Sequence, residues 1–264
     1  LKDRKPDLYW CVYHLFENHD TALWMVRQLS RGVCSTGQLE EFLFLHDSRG
    51  VNGKGTLLAL LMATLGIKKE NYYKSVDLED LTVSRGGGNS LHLADCRGRR
   101  VVICNEAFHT EQRSVVLNPT NIKKLVSLDD PVSTMAKYRD PECWKPQCLL
   151  MICTNSAPKF PSDDGGCETR LAFLNMPFKF TSDPANDSER AADSDVKLVH
   201  MPASVPECLF WGPLLVQGML VQSMGRHLVA RPAQIAADTR AAFSVDSPTD
   251  IPEMAKHFCN THLM

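Results

Sequence analysis

The sequence predicts an α/β fold built on a central parallel sheet, and three observations carry that reading. Apolar runs of strand length recur along the chain, separated by stretches of helical periodicity. The first of these runs passes through a glycine-containing loop directly into a helix. Two later runs end abruptly in Asn-Glu and Thr-Asn, as strands do whose carboxyl ends share one polar edge.

Taken in order, residues 8–30 carry apolar groups at mixed helical spacing and predict one or two helices. Residues 39–46 predict a short strand, and residues 56–65 a helix stopped at Gly66. Three consecutive glycines make residues 82–90 a loop. The basic turn Arg97-Gly98-Arg99-Arg100 introduces a second buried strand at 101–104. Residues 121–128 predict a short helix, and 132–144 a hairpin broken at Asp140-Pro141. Residues 149–154 and 171–180 are the third and fourth strands. The Ser/Asp/Ala-rich piece 181–195 predicts a loop, and residues 209–228 and 232–243 predict helices. The domain reading is a helical lead-in over 1–38, a core over 39–180, an acidic loop over 181–195 and a helical C-terminal subdomain over 196–264.

Composition sets the outer limits. With 264 residues, 44% hydrophobic and 23% charged, the chain can bury a sizeable core, which excludes disorder, collagen and a mini-protein scaffold. The balance of 29 Lys+Arg against 31 Asp+Glu, net -2, excludes a uniformly basic nucleic-acid coat. Charge is nonetheless uneven: residues 97–139 carry eight Lys/Arg against four Asp/Glu, whereas 181–195 carry five acids and one Arg. The ten cysteines form no C-x-x-C pair, and Cys104 and Cys153 lie inside apolar runs. They predict reduced core thiols, hence an intracellular, reducing compartment, rather than disulfides or zinc. The longest apolar stretches fall short of the ~18 residues a membrane span needs, so no membrane association is expected. The chain opens on Leu1 rather than Met, which predicts a piece of a longer protein cut from its N-terminal side.

Ser48-Arg-Gly50-Val-Asn52-Gly53-Lys54-Gly55-Thr56 lies where a phosphate-binding loop belongs, after a strand and at the start of a helix. Gly50, Gly53 and Gly55 let the backbone approach phosphate oxygens, and the helix N-terminus adds partial positive charge. Lys54 is placed to reach the β- and γ-phosphates. Two departures from G-x-x-x-x-G-K-[ST] stand out: Ser48 replaces the first glycine, and Gly55 takes the place of the magnesium-binding hydroxyl, which moves to Thr56. The candidate nucleotide contacts are Gly50, Asn52, Gly53, Lys54, Gly55, Thr56, Leu57 and Asn105, and the implied cofactors are ATP and Mg²⁺.

The second strand ends in Asn105-Glu106, an amide and a carboxylate of the kind a hydrolytic site uses to orient and deprotonate water. Glu106 is the candidate general base, and Asn105 with Thr56 the candidate metal ligands. The third strand ends in Thr154-Asn155, where Asn155 can hydrogen-bond the attacking water or the γ-phosphate. In the 132–144 hairpin, Lys137 and Arg139 bracket Tyr138, setting phosphate-binding charge beside a ring on which a base can stack.

In this order the motifs resemble a superfamily 3 helicase, of the primase-helicase type found in large DNA viruses, satellite phages and plasmids. The resemblance runs from Phe42-Leu-Phe-Leu-His46 through Asn52-Gly53-Lys54-Gly55-Thr56 and Arg100-Val-Val-Ile-Cys-Asn105-Glu106 to Thr154-Asn155-x-x-Pro158, Asp163-Asp164-Gly165-Gly166, Arg170 and Pro177-Phe178. It implies a P-loop AAA+-like ATPase core that assembles as a homo-oligomeric ring, usually a hexamer, around single-stranded DNA. It also implies that a basic residue of a neighbouring subunit completes each site, with Arg170 the candidate, and that Lys137, Tyr138 and Arg139 contact DNA. Chains of this type commonly carry a primase domain upstream. Two other readings stay open: a nucleotide or small-molecule P-loop kinase, which accounts for the loop alone, and a catalytically weak DNA-binding ring module, which accounts for the departures at Ser48, Gly55 and around Arg170.

Overall fold

The structure, a computed structural model, describes residues 15–16, 18–34, 40–46, 50–66, 72–82, 91–105, 116–127, 130–134, 140, 142–155, 165–191 and 230–244. Helix α1 (His19–Cys34) leads into strand β1 (Phe42–His46) and then helix α2 (Lys54–Leu65). β2 (Tyr73–Val76) and β3 (Val101–Asn105) follow, then α3 (Pro119–Val126), β4 (Val132–Thr134), β5 (Glu142–Trp144) and β6 (Leu149–Thr154). The short α4 (Gly165–Arg170) precedes β7 (Leu171–Asn175), and β8 (Lys179–Thr181), β9 (Glu189–Ala191) and α5 (Ala233–Ser244) complete the described chain.

Five strands form one sheet in the order β2-β3-β6-β1-β7, and every pairing in it is parallel. The parallel α/β class read from the apolar runs is therefore the observed one. β6 lies between the strand that feeds the loop and the strand that ends at Asn105.

Because side chains alternate across a sheet, each central strand supplies two cores. Leu43, Leu45, Val101, Ile103, Met151, Cys153, Ala172 and Leu174 face one side, where Trp24, Met25 and Leu29 of α1 and Leu57, Leu58 and Leu61 of α2 cover them. Phe42, Phe44, Val102, Cys104, Leu150, Ile152 and Phe173 face the other, against Ile122, Leu125 and Val126 of α3. α1 approaches the sheet so closely that a Cβ on Gly32 would lie 2.8 Å from the Leu149 Cβ. α5 runs along the outer strand β7, with Ile235 in the first core and Phe243 packed against the second. Thr239 Oγ1 accepts a hydrogen bond from Phe173 N at 3.1 Å and donates to Ile235 O at 2.7 Å, so a side chain takes a backbone donor that a further strand would have used. Arg231 fixes the approach to α5, donating to Glu41 Oε1 at 3.0 Å and to Thr169 O at 2.9 Å.

Two expectations are corrected. The predicted fourth strand over 171–180 is two strands: β7 stops at Asn175, Pro177 cannot donate to a ladder, and β8 joins a separate two-stranded sheet with β9. The predicted loop over 181–195 accordingly contains strand residues, Glu189–Ala191, paired in parallel with β8, while residues 182–187 are exposed. β2 was not foreseen; Lys74 and Ser75 interrupt its apolar pattern. Helix α1 begins at His19, and the first part of the 8–30 prediction lies outside the described residues, as do 209–228.

Candidate functional site

The strand register gathers the polar strand ends on one edge. His46, the last residue of β1, pairs with Thr154 of β6 on one side and with Asn175 of β7 on the other. Asn105 pairs with Cys153, one step below Thr154. Asn105 and Asn155 are both exposed, as groups that meet a ligand must be. Adjacent strands stand about 4.8 Å apart, so the ends of β3, β6 and β1 lie within roughly 10 Å of one another.

The loop above this edge has the backbone its glycines predict. Gly50, Val51 and Gly53 all hold positive φ, at 72°, 54° and 82°. Val51 is a β-branched residue in a conformation such residues rarely adopt, and it is 69% exposed, a strained point at the loop crest. Its carbonyl accepts from Phe180 N at 2.9 Å, so β8 props the loop from the side. Gly53 is the N-cap of α2 and brings no side chain to cap it. Asn52 Oδ1 accepts from Lys54 N at 3.3 Å. A twelve-residue helix whose cap residue is glycine turns its first-turn amides and its partial positive charge toward whatever sits over the loop. The cradle fits the phosphates of a nucleotide.

Gly53 and Gly55 differ in how tightly they are held. A Cβ on Gly53 would meet Leu15 Cδ2 at 2.5 Å, whereas one on Gly55 meets nothing within 4 Å. Gly55 is thus not held by packing. Thr56 is half-buried in the first turn of α2 and Leu57 is fully buried in the core beneath it.

Lys54 is 8% exposed, and its Nζ donates to Asn155 Oδ1 at 2.7 Å. Residues placed separately at the loop and at the third strand end are therefore in direct contact. The Lys54 charge also reaches Cys153: burial, and then neighbouring Cys104, push that thiol up to about 12, with Lys54 pulling the other way.

Arg170 lies at the opposite edge. It precedes Leu171, which pairs with Phe42 at the amino end of β1, one strand length of about 16 Å from the loop. Its guanidinium donates to Gly166 O at 3.0 Å, and its buried Nε has no partner among the described residues. Arg170 is therefore remote from its own chain's loop. Glu106, and Lys137, Tyr138 and Arg139 in the segment between β4 and β5, lie outside the described residues. The hairpin base is antiparallel, with Val132 opposite Trp144, and Arg97 pairs with Glu142 beside it. Thr56 and Asn105 offer only neutral oxygens, so a magnesium ion there would take most of its ligands from phosphate and water. Among the described residues no three His, Cys, Asp or Glu side chains cluster as metal ligands, and no helix is long and apolar enough to cross a membrane.

A shallow cleft that sequence reasoning did not foresee lies between α1, the end of β7 and α5, and includes Thr21, Asn175 and Asp238 in its lining. No local motif could have signalled it, since three distant segments build it.

Comparison with known proteins agrees with the motif order. Residues 45–170 match a family model described as a family of unknown function, DUF5906. The chain is 32% identical over 159 residues to the "Putative helicase L207/L206" of Acanthamoeba polyphaga mimivirus, a match covering 60% of this chain and 16% of that protein. In fold it is similar to the NrS-1 C-terminal region in its apo form, with a TM-score of 0.64 at 12% identity over 99% of this chain and 60% of that one. A second apo form of that region gives 0.58 at 13% identity, over 90% and 51% of the two chains. The chain thus spans about one sixth of the viral relative's length. In sequence the chain is thus similar to a viral protein described as a putative helicase, and in fold to the NrS-1 C-terminal region.

Proposed function

We propose that this chain is the ATP-hydrolysing motor of a DNA helicase, which binds ATP and Mg²⁺ at the Gly50–Leu57 loop and moves along single-stranded DNA as a homo-oligomeric ring. The observation that carries the reading is the 2.7 Å contact between Lys54 and Asn155, which sets a phosphate-seeking ammonium against a strand-end amide on the polar edge of a parallel sheet. In this reading Lys54 transfers from Asn155 to the nucleotide's phosphates. Asn155 is then released to orient water, and Glu106 takes the proton from that water. Thr56 and Asn105 would hold the metal ion, which would supply neutralisation of the phosphate charge. Arg170, set at the opposite end of the sheet from its own loop, serves the site of the next subunit, so each site is completed between two chains. Lys137, Tyr138 and Arg139 contact DNA phosphates and bases, and a primase domain upstream belongs to the same proposal. A reducing, intracellular setting is also part of it, supported by seven cysteines that form no disulfide among the described residues.

The test is ATP hydrolysis with and without single-stranded DNA. Glu106→Gln is expected to bind ATP and fail to hydrolyse it, and Lys54→Ala to lose binding. Lys137→Ala with Tyr138→Ala is expected to keep basal hydrolysis and lose its stimulation by DNA. Normal hydrolysis by Glu106→Gln would remove Glu106 as the base. Phosphate passed to a nucleotide acceptor, with no response to DNA, would favour a kinase. Wild-type rings without ATPase activity, unchanged by Lys54→Ala, would favour a catalytically weak DNA-binding module.

A further inference from the structure

The start of β6, at the end of the sheet remote from the phosphate loop, draws three basic segments together. Leu149 N, in the first residue of the strand, donates to Arg100 O at 2.9 Å, which sets the turn Arg97-Gly98-Arg99-Arg100 against it. The preceding residue, Cys148, donates from Sγ to Leu125 O at 3.9 Å and so holds the last turn of α3, which carries Lys123 and Lys124. Cys148 also neighbours Cys96, the residue before the basic turn: burial first, and Cys96 second, raise its thiol. The third segment is the link from β5 to β6, with Lys145 exposed. Beside the turn, Tyr72 O accepts from Arg100 N at 2.6 Å, and Tyr72 is 54% exposed.

The charge of this surface is not cancelled within the chain. Of the acids that flank the three segments, Asp95 is taken by Lys74 at 2.9 Å and Glu142 by Arg97, while Asp130 accepts from Ser127 Oγ at 3.1 Å. Arg100, Lys124 and Lys145 make no ion pair among the described residues. Spare cations beside an exposed ring suit a single nucleic-acid strand, whose phosphates meet the charges while a base stacks on the ring. The surface also continues from the hairpin. Lys145 directly follows Trp144, the last residue of β5, and Arg97 pairs with Glu142 of the same strand. DNA held by the segment between β4 and β5 therefore meets these cations next. We propose that the surface is a second contact for single-stranded DNA, with Arg100, Lys124 and Lys145 on its phosphates and Tyr72 against a base; the proposal rests on the DNA reading of Lys137, Tyr138 and Arg139.

Fluorescence anisotropy of labelled oligothymidylates on the whole chain tests this, with one oligomer of about 6 nucleotides, enough for one contact, and one of about 20, enough to reach a second. Lys124→Ala with Lys145→Ala removes two exposed charges without touching the core. The long oligomer is expected to bind that variant about tenfold more weakly, and the slope of log affinity against log salt to fall by about 1.4, the share of two phosphate contacts. The short oligomer, which the hairpin contact holds by itself, changes far less. Tyr72→Ala is expected to weaken the long oligomer about tenfold with the salt slope unchanged, because stacking releases no counterions. Wild-type binding of the long oligomer by both variants overturns the proposal and leaves the surface to an acidic protein partner. Equal losses on the two oligomers overturn it as well, since the surface would then add no second contact. Wild-type protein that binds neither oligomer removes the DNA reading of the chain, and the proposal with it.

Discussion

Lys54 of the phosphate loop donates to Asn155 at the end of β6, bridging 101 residues of sequence with one 2.7 Å hydrogen bond. The bond joins a charged donor to a neutral amide, strong enough to hold the lysine and weak enough for a phosphate to displace it. Replacing the amide by a carboxylate alters that competition. Asn155→Asp is expected to raise the melting temperature of the nucleotide-free protein and to raise the KM for ATP about tenfold or more, as an ion pair holds Lys54 back and a negative charge faces the phosphates. A melting scan and steady-state kinetics check it; an unchanged KM would show that Lys54 is not shared between the two.

The two loop glycines should respond in opposite senses. Gly53→Ala forces a side chain into positive φ and against Leu15, and is expected to cost at least about 1–3 kcal/mol of stability along with nucleotide binding. Gly55→Ala enters open space within α2 and is expected to stabilise by up to about 0.5–1 kcal/mol. Urea denaturation of both variants gives the comparison.

Arg170 lies at the opposite end of the sheet from its own loop, so its loss should be repaired by a neighbour. Arg170→Ala and Lys54→Ala are each expected to be inactive alone and to regain part of the ATPase activity when mixed, because a mixed ring pairs an intact Lys54 with an intact Arg170. No recovery in co-assembled rings would remove Arg170 as the residue shared between subunits.

Thr239 is the hydrogen-bond partner of Phe173 N at the sheet edge. Thr239→Val leaves that buried donor unpaired and is expected to cost about 1–3 kcal/mol, read as a lower denaturation midpoint. Thr239→Ser keeps the hydroxyl and should recover most of the loss.

Burial pushes the thiols of Cys96, Cys104, Cys148 and Cys153 up to about 12 from 9.0. The native state thus favours the protonated form. The stability this adds is complete below pH 9 and is lost as pH rises from about 9 through about 12. Native protein treated with iodoacetamide at pH 8 should leave these four unlabelled and label exposed Cys143, with all five reacting once urea is added.

The strands and helices that build the core were legible in the sequence because they are buried on both faces and read as unbroken apolar runs: 149–154 coincides with β6, and the helix read at 56–65 begins two residues earlier as α2. β2 escaped because it is an edge strand with Lys74 and Ser75 half in water, so its pattern is polar. The split at Pro177 carried its own signal, a residue without an N–H inside an apolar run, which the length of that run masked. Lys54 and Asn155 were each legible by type and position. Their contact was not, because it depends on β6 lying directly beside β1, and a list of strands does not give their lateral order.

β6 has one more consequence. It is buried along its whole length and hydrogen-bonded on both sides, by β1 and β3. Residues 145–148 join its start to β5, the return strand of the hairpin, and its end carries Asn155 against Lys54. The hairpin and the phosphate loop are thus opposite ends of a single stiff rod about 20 Å long. A rod clamped along both flanks does not absorb motion within itself, so a displacement of Asn155 along its axis and a displacement of the hairpin base are one movement seen from two places.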